Sequence, residues 1–100
     1  MKAKLTITSI NKTYKVEIQK VPYLNNGSLA LEAVCGGEDF SQLSTNFPES
    51  KNLPPNQCYF KTWSENDGFL EQLEAQGLVK RLGPVIQSGF VQAPLVEVLF

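Results

Sequence analysis

The chain of 100 residues contains two cysteines, Cys35 and Cys58, and no histidine, which limits the chemistry open to it. A serine or cysteine nucleophile needs an adjacent base and a group that orients that base, and no imidazole is present to serve. A zinc site needs three or four nitrogen, sulfur or carboxylate ligands in a recognisable spacing; two thiols without a C-x-x-C pair do not supply one. Ser88 lies in Gln-Ser-Gly, not in the G-x-S-x-G of a nucleophile elbow. Glu38 and Asp39 are adjacent, so on a strand they point to opposite faces and form no carboxylate pair. Gly36-Gly37 is followed by neither a lysine nor a helical pattern, and so cannot form a phosphate loop. These residues predict a protein that is not an enzyme and holds no cofactor or metal. Both cysteines are expected as reduced, buried, small hydrophobes, with a disulfide between them the lesser reading.

Charge points to binding. The net charge is −1, yet Lys2, Lys4, Lys12, Lys15 and Lys20 crowd the first twenty residues against Glu17 alone. Eight acids (Glu32, Glu38, Asp39, Glu49, Glu65, Asp67, Glu71 and Glu74) follow against Lys51 and Lys61. Such faces are commonly just solvated, but a weakly basic end and a weakly acidic end also orient a charged partner. Lys2, Lys4 and Lys15 offer a modest nucleic-acid surface, interleaved with Thr and Glu where a binder would carry aromatics. The stronger candidate is a protein-binding surface of Asn46, Phe47, Trp63, Glu65, Asp67, Glu71 and Glu74. Trp63 there is either a contact anchor or the hydrophobic staple of the helix that follows it.

The elements that would position these residues follow from periodicity. Ala3, Leu5 and Ile7 alternate with Lys4, Thr6 and Thr8, and Tyr14, Val16 and Ile18 alternate with polar neighbours; these are two half-buried strands joined at Ile10-Asn11-Lys12. Pro22 ends the second strand, and Asn25-Asn26-Gly27 turns the chain. Residues 28–35 form a central strand apolar on both faces, and after Gly36-Gly37 the next strand runs through residues 40–47. Residues 48–55, with three prolines, read as a long loop with little to pack. Cys58, Tyr59 and Phe60 make a short strand at most. One helix is predicted over residues 64–76: Ser64 caps it, Phe69, Leu70 and Leu73 form its buried stripe, Asp67, Glu71 and Glu74 line the other side, and Gly77 stops it. Residues 78–86 make a strand interrupted at Gly83-Pro84. Ser88-Gly89 turns it into a last strand, whose apolar end predicts a buried C-terminus and whose Pro94 marks an edge or bulge.

The fold expected is therefore a single α+β domain over residues 1–100, a small, mainly antiparallel sheet with one helix on one face. Its 42% apolar and 19% charged residues are ordinary globular proportions. No apolar run approaches the roughly 20 residues that span a bilayer, and the first residues alternate instead of forming a signal-peptide block. The expectation is a cytoplasmic protein with no membrane partner.

Several ordered pieces go further: Asn26-Gly27-Ser28-Leu29-Ala30, Thr45-Asn46-Phe47-Pro48, Phe69-Leu70, Gly77-Leu78, Gly83, Gln87-Ser88-Gly89-Phe90 and Pro94-Leu95. In this order, from Tyr23 to the end, the chain resembles an uncharacterised family of small domains carried by bacterial phages, plasmids and conjugative elements. That resemblance carries no activity. It implies an accessory protein of a mobile element, a class rich in small non-enzymatic inhibitors of host defences. Its partner would be a host protein, for instance a defence complex such as a CRISPR effector. Nucleic-acid association through the lysine-bearing hairpin is the alternative, and a homodimer through an exposed strand edge stays open.

Overall fold

The computed structural model describes residues 2–9, 12–24 and 27–100, without the side chains of Lys2, Ala3, Ser9 and Glu65. The turn expected at Asn25 and Asn26 and the link at Ile10 and Asn11 lie outside those residues. The alternating N-terminal pattern forms β1 (Lys2–Ser9) and β2 (Lys12–Pro22), antiparallel with Leu5 opposite Val16 and Ile7 opposite Tyr14. β3 (Leu29–Cys35) and β4 (Glu38–Gln42) extend this into a meander in the order β1-β2-β3-β4. Gly36 and Gly37 connect the last two with φ of 60° and 84°, the pair of positive values that a type I′ hairpin turn requires.

The strand expected through residues 40–47 is broken at Leu43. This residue is fully buried, donates its N–H to the Leu31 carbonyl at 2.9 Å and accepts the Lys61 N–H at 2.7 Å. One residue thus ends the ladder of the first sheet and begins that of a second. The second sheet comprises β5 (Ser44–Thr45), β6 (Gln57–Phe60), β7 (Val79–Ser88) and β8 (Val91–Val98), in the order β5-β6-β8-β7 and antiparallel throughout. The α+β class expected from the pattern is the class observed, with the strands divided between two sheets.

The inner faces meet in one core, with Leu5, Ile7, Val16, Ile18 and Leu31 from the first sheet and Phe60, Val79, Val96 and Val98 from the second. Where β1 and β7 would leave the layers open, α1 (Phe69–Ala75) contacts both strands. It drives Phe69, Leu70 and Leu73 into the core, each contributing about 1.5–3 kcal/mol of burial.

The helix is shorter than the sequence predicts. Residues Ser64–Asn66 form one 3-10 turn, Gly68 stands at φ 82°, and regular helix starts only at Phe69, so the Ser64 hydroxyl caps nothing. The cause is Asn66, fully buried, whose Nδ2 donates to the Gln42 carbonyl at 2.7 Å and whose Oδ1 accepts from the Ser41 hydroxyl. Gly68 in the left-handed region then starts a fresh helix, a conformation that costs glycine little. The exit is as predicted: Gly77 has φ 75°, Gly77 N–H bonds Glu74 C=O and Leu78 N–H bonds Leu73 C=O, both at 3.0 Å, the two bonds of a Schellman motif.

The proline-rich loop is also more than a connection. Pro48–Asn52 is a 3-10 turn locked by the buried Ser50, whose hydroxyl accepts the Phe47 N–H at 3.0 Å and whose N–H bonds the Phe47 carbonyl at 2.9 Å. Phe47 and Leu53, joined by Trp63, cover Tyr59, Ala93 and Leu95 on the outer face of the second sheet. The apolar C-terminal segment is interior only as far as Val98: β8 lies between β6 and β7 with Val96 and Val98 buried, whereas Leu99, past the end of the strand and expected buried, is 50% exposed. Its Pro94 lies just past the end of the β6 ladder, which stops at Leu95. Among the described residues no helix is long and apolar enough to cross a membrane.

Candidate functional site

The residues proposed as one binding patch fall on two sides of the second sheet. Phe47 packs edge-on against Tyr59 at 5.6 Å between ring centres, and Trp63 joins the same outer cluster, both half-buried. Trp63, half-buried, is part of the sheet's cover. Asn46 accepts a bond from the Ser28 hydroxyl at 3.2 Å. Asp67 and Glu71 lie elsewhere, on the rim of a cleft of about 320 Å³ formed with Thr62, Arg81, Val85, Gln92 and Pro94. The side chain of Glu65 lies outside the described residues.

The acids do not form a free stripe. Arg81, the single arginine, reaches Glu71 at 2.6 Å and Glu74 at 2.9 Å. The Glu71 carboxyl is held below its usual range, first by a bond from its own backbone N–H and then by Arg81. The neighbourhood still holds three carboxylates against one guanidinium, and Asp67 is exposed with no ion pair among the described residues.

Lys4 and Lys15 do share one face. Both are exposed and line a depression of about 600 Å³ on the outer side of the first sheet, with Glu17 directly opposite Lys4 in the ladder. The side chain of Lys2 lies outside the described residues. The two cysteines are free; burial pushes the Cys58 thiol up to about 12, so it is protonated and unreactive at neutral pH. No three His, Cys, Asp or Glu side chains gather as a metal would need, among the described residues.

Sheet edges distinguish the surface further. On β1 the Thr8 N–H donates to Gln72 Oε1 at 2.7 Å while Gln72 Nε2 donates to the Thr8 carbonyl at 3.0 Å, and Gln76 does the same for Thr6 at 3.4 and 3.0 Å. Four residues of helix rise about 6 Å and two of strand about 6.8 Å, so the carboxamides of Gln72 in α1 and of Gln76 at its C-terminal cap occupy successive places where a neighbouring strand would bond. On β4, Asn66 occupies the Gln42 carbonyl.

The outer end of β7 has no such cover among the described residues. Ser88 and Val91 flank the two-residue turn Gly89-Phe90 and are the bonded pair next to it. The alternation of an antiparallel ladder then turns the N–H and C=O of Gln87 and Val85 away from β8. Thr62 Oγ1 donating to the Gln92 carbonyl from the opposite side at 3.2 Å fits that alternation. No hydrogen bond from the described residues reaches the outward groups of Val85 and Gln87. Apolar exposure accompanies them: Val85 is 52% exposed and Phe90, at the tip, is fully exposed. Neither was a candidate from the sequence. The usable signal was Gly89-Phe90 itself, since a side chain at the tip of a tight hairpin has no layer beneath it. No protein-family model, no curated protein and no solved structure matches this chain.

Proposed function

We propose that this is a non-enzymatic accessory protein of a mobile genetic element that acts in the cytoplasm by binding another protein, as an inhibitor of a host defence complex such as a CRISPR effector. The mobile-element context rests on the ordered sequence pieces between Tyr23 and the C-terminus. The observation that carries the binding role is the β7–β8 hairpin, which projects Phe90 into solvent beside the exposed Val85 and an uncovered backbone edge. Exposed aromatics contribute far more at interfaces than their number suggests, and folding the monomer gives no reason to hold Phe90 out of the core. The contact surface therefore shifts from the Phe47–Trp63 cluster to this hairpin and keeps Asp67 and Glu71 at its flank.

Affinity capture from bacterial host lysate with the wild type and Phe90→Ser, matched for melting temperature, tests the reading. The variant is expected to recover at least about tenfold less of the partner, the ~1.4 kcal/mol of a modest hot spot. Equal recovery would rule out the hairpin as the contact.

The second reading, nucleic-acid association, is favoured by Lys4 and Lys15 lying exposed on one face. Glu17 between them lowers the local potential. Binding of a duplex that falls steeply with salt and is lost in Lys4→Ala/Lys15→Ala would support it over protein binding.

A further inference from the structure

We infer that the outer end of β7 takes up an extended segment of the partner as an added antiparallel strand, and that this segment alternates apolar with Lys or Arg side chains. The inference rests on the protein-binding reading above and names the chemistry of the partner.

The backbone supplies the first argument. Val85 and Gln87 each turn an N–H and a C=O outward with no bond from the described residues. An added strand would satisfy up to four such groups, which is how strand addition gains its affinity. The devices that blunt an edge, namely charge, proline and a bulge, are concentrated in the inner half of β7: Lys80, Arg81, Pro84 and the register shift between Arg81 and Val85. Residues 85–88 carry none of them. The same chain covers β1 with Gln72 and Gln76 and the Gln42 carbonyl of β4 with Asn66, and among the described residues Val85 and Gln87 receive no bond of this kind.

Charge and apolar surface identify the occupant. Val85 shares its cleft with Asp67 and Glu71, and Arg81, the one cation lining it among the described residues, is already divided between Glu71 and Glu74. Side chains of an added strand on this side meet an excess of carboxylate and are complemented by Lys or Arg. Side chains on the other side lie along Ile86, which belongs to the apolar cluster of Tyr59, Ala93 and Leu95. Alternation of the added strand assigns basic residues to one side and apolar residues to the other.

The probes are two labelled eight-residue peptides, one alternating valine or threonine with lysine and one alternating them with glutamate, titrated into the full chain by fluorescence anisotropy. The lysine peptide is expected to bind and the glutamate peptide to bind at least about tenfold more weakly. Gln87→Pro removes an outward N–H while leaving the β7–β8 bonds in place. It should weaken the lysine peptide by about tenfold or more with an unchanged melting temperature. Asp67→Asn leaves the backbone untouched and should narrow the preference for lysine over glutamate, so the inference is tested even if the proline variant does not fold. Equal binding of both peptides, no binding of either, or full binding to a folded Gln87→Pro would overturn the inference. So would a wild-type dimer in sedimentation that Gln87→Pro converts to monomer, because a second copy would then be the occupant. If Phe90→Ser loses the captured partner while Gln87→Pro keeps it, the protein-binding reading stands and strand addition fails.

Discussion

The exposed edge of β1 and the outer end of β7 are chemically similar backbones with opposite fates. Thr6 and Thr8 present outward N–H and C=O groups just as Val85 and Gln87 do, but the first pair is filled by the Gln72 and Gln76 carboxamides and the second by nothing among the described residues. The difference lies in the placement of α1. One short helix, held by Phe69, Leu70 and Leu73, spans the seam between the sheets and brings its polar side along β1, while the hairpin runs past it. An edge is therefore closed here by side chains that are themselves anchored in the core, and it opens where that anchor ends.

The strongest way to break the contrast is to loosen the anchor. Leu70→Ala leaves a cavity at a fully buried position and should cost about 2–5 kcal/mol, read from a denaturant titration. Amide exchange at Thr6 and Thr8 should then rise toward that of Val85 and Gln87. A loss below about 1 kcal/mol would show that the helix does not brace the seam.

A smaller effect isolates the carboxamides. Gln72→Ala with Gln76→Ala removes the caps and leaves the core intact, for a loss of about 2 kcal/mol, since the four exposed bonds each contribute at the low end of roughly 0.5–1.5 kcal/mol. The informative readout is association: with β1 bare, light scattering should reveal concentration-dependent self-association absent from the wild type. A double variant that stays monomeric would mean the glutamines add stability and do not guard the edge.

The smallest effect concerns the acids beside β7. Glu71 has a folded pKa below its unfolded value. Its contribution is therefore present above the unfolded pKa and lost as pH falls through the lower folded one. Both side chains of the Arg81 pair are largely exposed, so the contribution is a few tenths of a kcal/mol at most. Arg81→Met should flatten the acid limb of the melting-temperature profile slightly; an unchanged profile would mean the pair does not contribute.

Much of this contrast could be read before folding, and the rest could not. The N-terminal hairpin, the glycine turn at 36–37, the Gly77 exit and the interior C-terminal strand follow from periods of two and of 3.6 and from residues that favour positive φ. These are local properties, carried by neighbours in the chain. β3, expected to be apolar on both faces, buries only its Leu31 and Ala33 face in the core. Leu43 as the corner between two sheets, Asn66 pulled inside to bond β4, and Gln72 and Gln76 serving as strand substitutes were hidden, because each depends on groups 12 to 70 positions away. The candidate surface divided along the same line. Asp67 and Glu71 remained together because one helix start holds them, whereas Phe47 and Trp63 were drawn onto Tyr59 and Leu95 as a half-buried cover of the second sheet. Local pattern determines which face of an element is apolar, but only the assembled layers decide which apolar face finds a partner and which edge is left without one.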